Sequence, residues 1–310
     1  MAPEIAVSKP GWLSLLRRHA ERHVPAALGL GLALLVVLAL LVQSTVQVLA
    51  GEVKLGLHYA LLGGAAGFAA TALGALPALW LRSMPQRIED SLLGMAAGMM
   101  LAASAFSLLL PGLEAGAEIL GSKPLGAGIV VAGMTLGVLL MLGLDQFTPH
   151  EHEEYGPCGP GYQRCNRLWL FVFAIVLHNL PEGMAIGVSF SQADMSVGLP
   201  LTTAIALQDI PEGLAVALAM RNAGFSPMMA VLVAAGSGLL EPLGALLGVG
   251  LSSGLAVAYP IGLGLAAGAM IFVVSHEVIP QTHRNGHQTP ATLGLMAGFA
   301  LMMVLDTTLG

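Results

Sequence analysis

His178-Asn179-Leu180-Pro181-Glu182-Gly183 and Gln208-Asp209-Ile210-Pro211-Glu212-Gly213 repeat one pattern at a separation of thirty residues. Each segment sits in the middle of an apolar run long enough to cross a bilayer. An ionisable group at that depth costs about 2.5–3.5 kcal/mol on insertion scales, so such groups are seldom idle. Imidazole, carboxylate and carboxamide donors together suit a divalent metal ion, and the absence of thiolate argues against copper(I). Spacing brings the donors together, because residues i and i+4 share a helix face and i+1 lies close to i+4. His178 and Glu182 therefore project together with Asn179 on the adjoining edge, and Gln208, Asp209 and Glu212 repeat the arrangement.

The short connection centred near residue 193 lies about fifteen positions from both His178 and Gln208, so an antiparallel hairpin brings the two clusters to the same depth. Glu241-Pro242, on a later apolar run, adds a further buried carboxylate at a proline. Glu182, Asp209, Glu212 and Glu241 sharing one small region repel one another unless divalent ions, protons or both compensate. Two ions bridged by Glu182 and Glu212 fit this donor set. Polar side chains that merely tie helices together do not account for a matched repeat without an intramembrane Lys or Arg partner. Pro181 and Pro211 cannot donate to the carbonyls of Leu177 and Leu207, so both helices are expected to kink there and free backbone oxygens toward a cavity.

The elements that must position these groups follow from composition. The chain is 56% hydrophobic and 10% charged, against roughly 25% charged in soluble domains. An all-α polytopic membrane bundle is implied. Apolar runs of spanning length occur near 24–42, 56–80, 91–111, 125–145, 168–190, 197–220, 226–250, 255–276 and 290–309. Ser226-Pro227 and Thr289-Pro290 read as helix starts, a capping hydroxyl before a first-turn proline. Forty glycines suit close helix packing in lipid.

With nine spans, the N-terminal tail and alternate loops hold Lys9, Arg17, Arg18, Arg22, Arg82, Arg87, Arg164, Arg167, Arg221 and Arg284, while the opposite side holds only Lys54 and Lys123. By the positive-inside rule the N-terminus is cytoplasmic and the C-terminus external. The first apolar run, with basic residues up to Arg22 and Val48-Leu49-Ala50 before Gly51, has features of a signal peptide. Signal h-regions run about 7–15 residues, so this longer run is read as a retained anchor helix. Cleavage would leave eight spans in the same orientation. Cys158 and Cys165 fall in a cytoplasmic loop, where a structural disulfide is disfavoured.

The paired motifs resemble the fourth and fifth helices of the ZIP family of divalent-metal transporters, and Ser275-His276-Glu277-Val278-Ile279-Pro280 resembles the His-Glu motif of that family's seventh helix. The likeness covers about 56 to 310. It implies an eight-helix core with an inverted repeat, here 51–310 with a cytoplasmic loop at 146–167; the tail and extra helix over 1–50 are additional to that core and put the N-terminus inside, in agreement with the charge count. It further implies a homodimer in a bacterial inner membrane that moves zinc, cadmium, iron or manganese toward the cytoplasm. By matching position, His178, Glu182, Gln208 and Glu212 form one metal site. Asn179, Asp209 and Glu241 complete a second that shares the two glutamates. Ser107 stands where many members have His, which weakens the first site, and Met100 is either a soft donor nearby or a core residue. His276, Glu277, Asp145 and the His150-Glu151-His152-Glu153-Glu154 run would serve release on the cytoplasmic side, with Glu114, Glu118 and Asp306 toward the external face. The loop run reads equally as a solvated acidic stretch.

Zinc is the expected cargo, with no prosthetic group and no enzyme activity; the expected partners are divalent metal ions and the lipid bilayer, not nucleic acid. An intramembrane metalloprotease would need two imidazoles one helical turn apart beside a general base, and Pro280 stands where the second would be. The nearer rival is a proton- or sodium-coupled carrier of another solute.

Overall fold

The protein is described by a computed structural model covering residues 12–50, 54–152, 156–160, 167–252 and 255–309. Lys9, Gly51, Glu153, Glu154, Arg164 and Cys165, which entered the sequence reading, lie outside the described residues. The chain is a helical bundle. Its helices are α1 (Trp12–Arg22), α2 (Val24–Ala50), α3 (Lys54–Ala75), α4 (Gln86–Ala103), α5 (Leu110–Leu120) and α6 (Lys123–Phe147), then α7 (Arg167–Phe190) and α8 (Met195–Asn222). There follow α9 (Pro227–Ser237), α10 (Leu240–Ser252), α11 (Ala258–Val273), α12 (Ile279–His283) and α13 (Gln288–Leu309). Between α6 and α7 a small antiparallel ladder pairs β1 (His150–His152) with β2 (Gly156–Cys158).

Eight helical stretches among the described residues are long and apolar enough to cross a membrane. The remaining expected span, 168–190, is the 24-residue helix α7. Two stretches run past their expected ends, to Leu120 rather than 111 and to His283 rather than 276. Both continue through a proline. Pro111 and Pro280 lack the N–H that would bond Ser107 and His276, four residues back. The chain widens into π-helical turns at Ser104–Leu109 and Val274–Val278 instead of stopping. The expected kink sites behave differently: α7 and α8 remain α-helical through Pro181 and Pro211.

Side-chain caps mark the starts of α8 and α9. Ser226 caps α9 by accepting from the Met229 N–H at 3.3 Å, and Asp194 caps α8 by accepting from Ser196 at 2.8 Å. At α13 the expected Thr289 cap is not used, since the helix already begins at Gln288. A side chain at Gly238 would press on Phe68 and Thr71. There α9 gives way to α10, one turn before Glu241.

Close pairs build the bundle: α4 with α13, α6 with α11, α7 with α10, and α3 with α8. In the α7–α10 pair, Gly183, Gly187, Gly244 and Gly248 each face the partner's backbone with no room for a Cβ, so the two axes approach closely. Met99, Met141, Ile186, Ile205 and Leu263 fill the main core. Helix α2 is peripheral, lying against α6 and α10. Below it, His19 of α1 meets Phe147 edge-on at 5.1 Å. Burial and the neighbouring His23 hold the His19 imidazole below its usual range.

Candidate metal centre

The hairpin of α7 and α8 turns through residues 191–194, with Ala193 in the left-handed region at φ 57°. Its arms bring the two motifs to one level, because Gln208 Nε2 donates to Glu182 Oε1 at 2.7 Å. Asp209, the next residue of α8, and Glu212, one turn beyond Gln208, converge on the same place. Glu182, Asp209 and Glu212 each offer one oxygen within 4.8 Å of the others. Glu182 and Asp209 are fully buried, while Glu212 keeps partial exposure.

Two lobes extend from this trio. In the first, His178 Nε2 lies 3.2 Å from Glu277 Oε2, and the charges of both are felt at Glu212. In the second, Glu241 enters from the first turn of α10 and its charge is felt at Asp209. Asn179 and Gln208 are buried beside them. No Lys or Arg occurs between 168 and 220 to neutralise these groups.

The hydrogen bonding is conspicuously incomplete. Asn179 Oδ1, Glu182 Oε2, Gln208 Oε1, Asp209 Oδ2 and Glu241 Oε2 are all buried without a hydrogen-bond partner. Leaving a buried acceptor unsatisfied costs about 1–3 kcal/mol, and more for a charged one. Five acceptors from one cluster, including three carboxylates, call for positive charge. A divalent cation supplies it with the oxygen and nitrogen ligands that zinc and its neighbours accept.

The other candidates make contacts of their own. Glu277 reaches the first lobe, but its neighbour His276 stacks on Phe272 at 4.9 Å and lies 3.9 Å from Asp145 Oδ2. Ser107 donates to Asp306 Oδ1 at 2.7 Å, so its hydroxyl is already engaged. Met100 is packed within the main apolar core, and its backbone carbonyl accepts from the Ser104 hydroxyl at 2.8 Å.

Two polar positions escaped the sequence reading. Thr71 Oγ1 donates to Glu241 Oε1 at 2.9 Å. Its signal was faint, a single hydroxyl seven residues after Gly64 on a glycine-marked face of α3. Asp90, fully buried at the head of α4, accepts from Gln86 and Asn285 at 3.1 Å each and pairs with His287 Nδ1 at 3.0 Å. Two of those partners come from nearly two hundred residues away, beyond any local pattern.

Residues 150–306, which include both motifs, Glu241 and His276-Glu277, match the family described as ZIP Zinc transporter. The chain belongs to the ZIP family. Its relatives agree along nearly the whole length. Zinc transporter ZIPB of Bordetella bronchiseptica is 66% identical over 292 residues, covering 94% of both chains. Zinc transporter GufA of Myxococcus xanthus is 42% identical over 82% of this chain and 99% of its own. Zinc transporter ZIP11 of Homo sapiens is 30% identical over 81% and 97%, respectively. Among ZIP sequences, then, this is an all-α multi-pass membrane protein whose buried carboxylate centre falls inside the family match.

Proposed function

We propose that this ZIP chain carries divalent transition-metal ions, zinc foremost, through the bilayer by way of the buried His178/Glu182/Gln208/Glu212 and Asn179/Asp209/Glu241 lobes. The observation that carries the reading is the convergence of five partnerless buried acceptors about Glu182. The relatives quoted above, each named a zinc transporter, support zinc as the cargo. Cadmium, iron(II) and manganese(II) suit the same donors.

Glu182 and Glu212 stand between the lobes and bridge two ions. A hydrated cation sheds water as carboxylate, imidazole and carboxamide oxygens and nitrogens replace it, and four negative charges offset its desolvation. Ser107 and Asp306 mark the approach from the external face. Release runs past Glu277, which touches His178, to His276 with Asp145 and then to the 150–152 strand. Metal binds the deprotonated ligands, so loading releases protons.

The chain works as a homodimer in a bacterial inner membrane, N-terminus cytoplasmic and C-terminus external, moving metal inward. Residues 51–310 form the transporting core, with 1–50 an added tail and helix. One helix group shifts against another around the metal, as in carriers whose sites lie at mid-membrane.

The deciding experiment is uptake of zinc, cadmium, iron(II) and manganese(II) into proteoliposomes, with His178→Ala and Glu212→Ala alongside. Wild-type uptake abolished by both substitutions supports the assignment. Folded, reconstituted protein that moves none of the four metals sinks it in favour of a carrier of another solute.

A further inference from the structure

Glu241 belongs to α10 and its carboxylate neighbours Asp209 of α8 and Asn179 of α7, but the hydroxyl that donates to it and the space beside it belong to α3, a helix without a single acidic residue. Gly64, Gly67, Thr71 and Gly74 fall at i, i+3, i+7 and i+10, which is one face of a helix. Its Gly64–Gly67 part lies against the start of α10, while Gly74 packs on Ile210 of α8. A Cβ at Gly64 would stand 2.6 Å from the Cα of Pro242, and the α9–α10 break at Gly238 rests on Phe68 and Thr71.

At the centre of the face is Gly67. A methyl group there would overlap Glu241 Oε2 and stand 3.2 Å from Asp209 Oδ2. Those two oxygens are both buried and both without a hydrogen-bond partner. The volume that glycine leaves open is thus the volume in which the second lobe presents its free acceptors. One turn on, the Thr71 hydroxyl donates to the other oxygen of the same carboxylate, Glu241 Oε1, at 2.9 Å. A longer approach to the Gly67 carbonyl, 3.2 Å, shows that the same hydroxyl is anchored over this turn.

We propose that the Gly67–Thr71 face of α3 is a socket that presents Glu241 to the second ion through one oxygen only. Gly67 provides the space for Oε2, and Thr71 occupies Oε1. Both are positioning residues acting through Glu241, and the proposal rests on the two-ion reading above. Alanine at 67 would push Glu241 out of the lobe. Valine at 71 keeps the shape of threonine but releases Oε1, so the carboxylate loses its orientation.

The test is zinc titration of the purified full chain, resolving the number of ions and the affinity of each. Wild type is expected to bind two. Thr71→Val should weaken the second ion by about tenfold or more, the effect of losing a hydrogen bond to a charged group, while the first is unchanged. Thr71→Ser, which restores the donor, should recover the second affinity to within about threefold. Gly67→Ala should bind one ion. If Gly67→Ala does not fold, the valine–serine contrast decides alone. Two ions with wild-type affinities in both Thr71→Val and Gly67→Ala overturn the socket and leave the two-ion reading standing. So does a serine variant as weak as the valine. A wild type that binds one ion overturns the two-ion reading and the socket with it.

Discussion

Gln208 and Glu182 meet across the α7–α8 hairpin, the amide donating to the carboxylate at 2.7 Å, and this bond ties one motif to the other. It also leaves the amide oxygen of Gln208, Oε1, and the second carboxylate oxygen of Glu182, Oε2, without a partner. One contact thus aligns the pair and leaves two buried acceptors open.

Gln208→Ala should destabilise the metal-free protein, because Glu182 Oε1 then joins the other unsatisfied atoms. A loss of about 1–3 kcal/mol is expected for a buried acceptor left without its donor. Thermal unfolding in detergent, with and without chelator, checks this. An unchanged midpoint in the metal-free sample would show that Glu182 finds another donor.

Acid should oppose loading. His178 and the carboxylates bind metal deprotonated, so each bound ion displaces protons and apparent affinity falls as pH falls. Calorimetric titration with zinc in buffers of different ionisation enthalpy reads the protons released directly. Equal heats in all buffers would mean that the ligands are already unprotonated.

Asp306→Ala should reduce zinc uptake at low external metal and spare the maximal rate, since Asp306 lies outside the carboxylate trio and touches only Ser107 among the contacts described above. Uptake kinetics over a range of zinc concentrations separate the two parameters. Equal uptake at low zinc would remove Asp306 from the approach path.

Asp90→Ala should loosen the connection between α12 and α13. Asn285 and His287 lose their acceptor, and a buried hydrogen-bonded carboxylate is worth about 1.5–3 kcal/mol per charged bond. Hydrogen exchange over residues 284–287 should quicken, with zinc stoichiometry unaltered. Unchanged exchange would show that helix packing alone holds this connection.

Much of this architecture was readable in the residues, for physical reasons that vary by element. Hydrophobic length exposes spans because the bilayer demands it, so the helices are where the apolar runs are. The depth match of His178 and Gln208 followed from counting residues to the turn near 193. Helix ends at Pro111 and Pro280 were less legible. Proline marks a conflict in the backbone, and a π-helical turn resolves it as readily as a stop does. The support of Glu241 by Thr71, and the clustering of Asp90 with Asn285 and His287, depend on which helices become neighbours. That is a tertiary outcome without local periodicity to announce it.

The partnerless oxygens have a last consequence, which concerns the lifetime of the protein. A ligand that binds only the folded state adds about 2.7 kcal/mol of stability at one hundred times its dissociation constant. On the reading proposed above, the metal ion coordinates oxygens that otherwise have no partner, so the empty molecule is the less durable one. Metal scarcity would then raise the fraction of chains open to membrane proteases, and plenty would protect them. The amount of transporter surviving in the membrane would thereby follow the supply of what it carries, without any change in its synthesis.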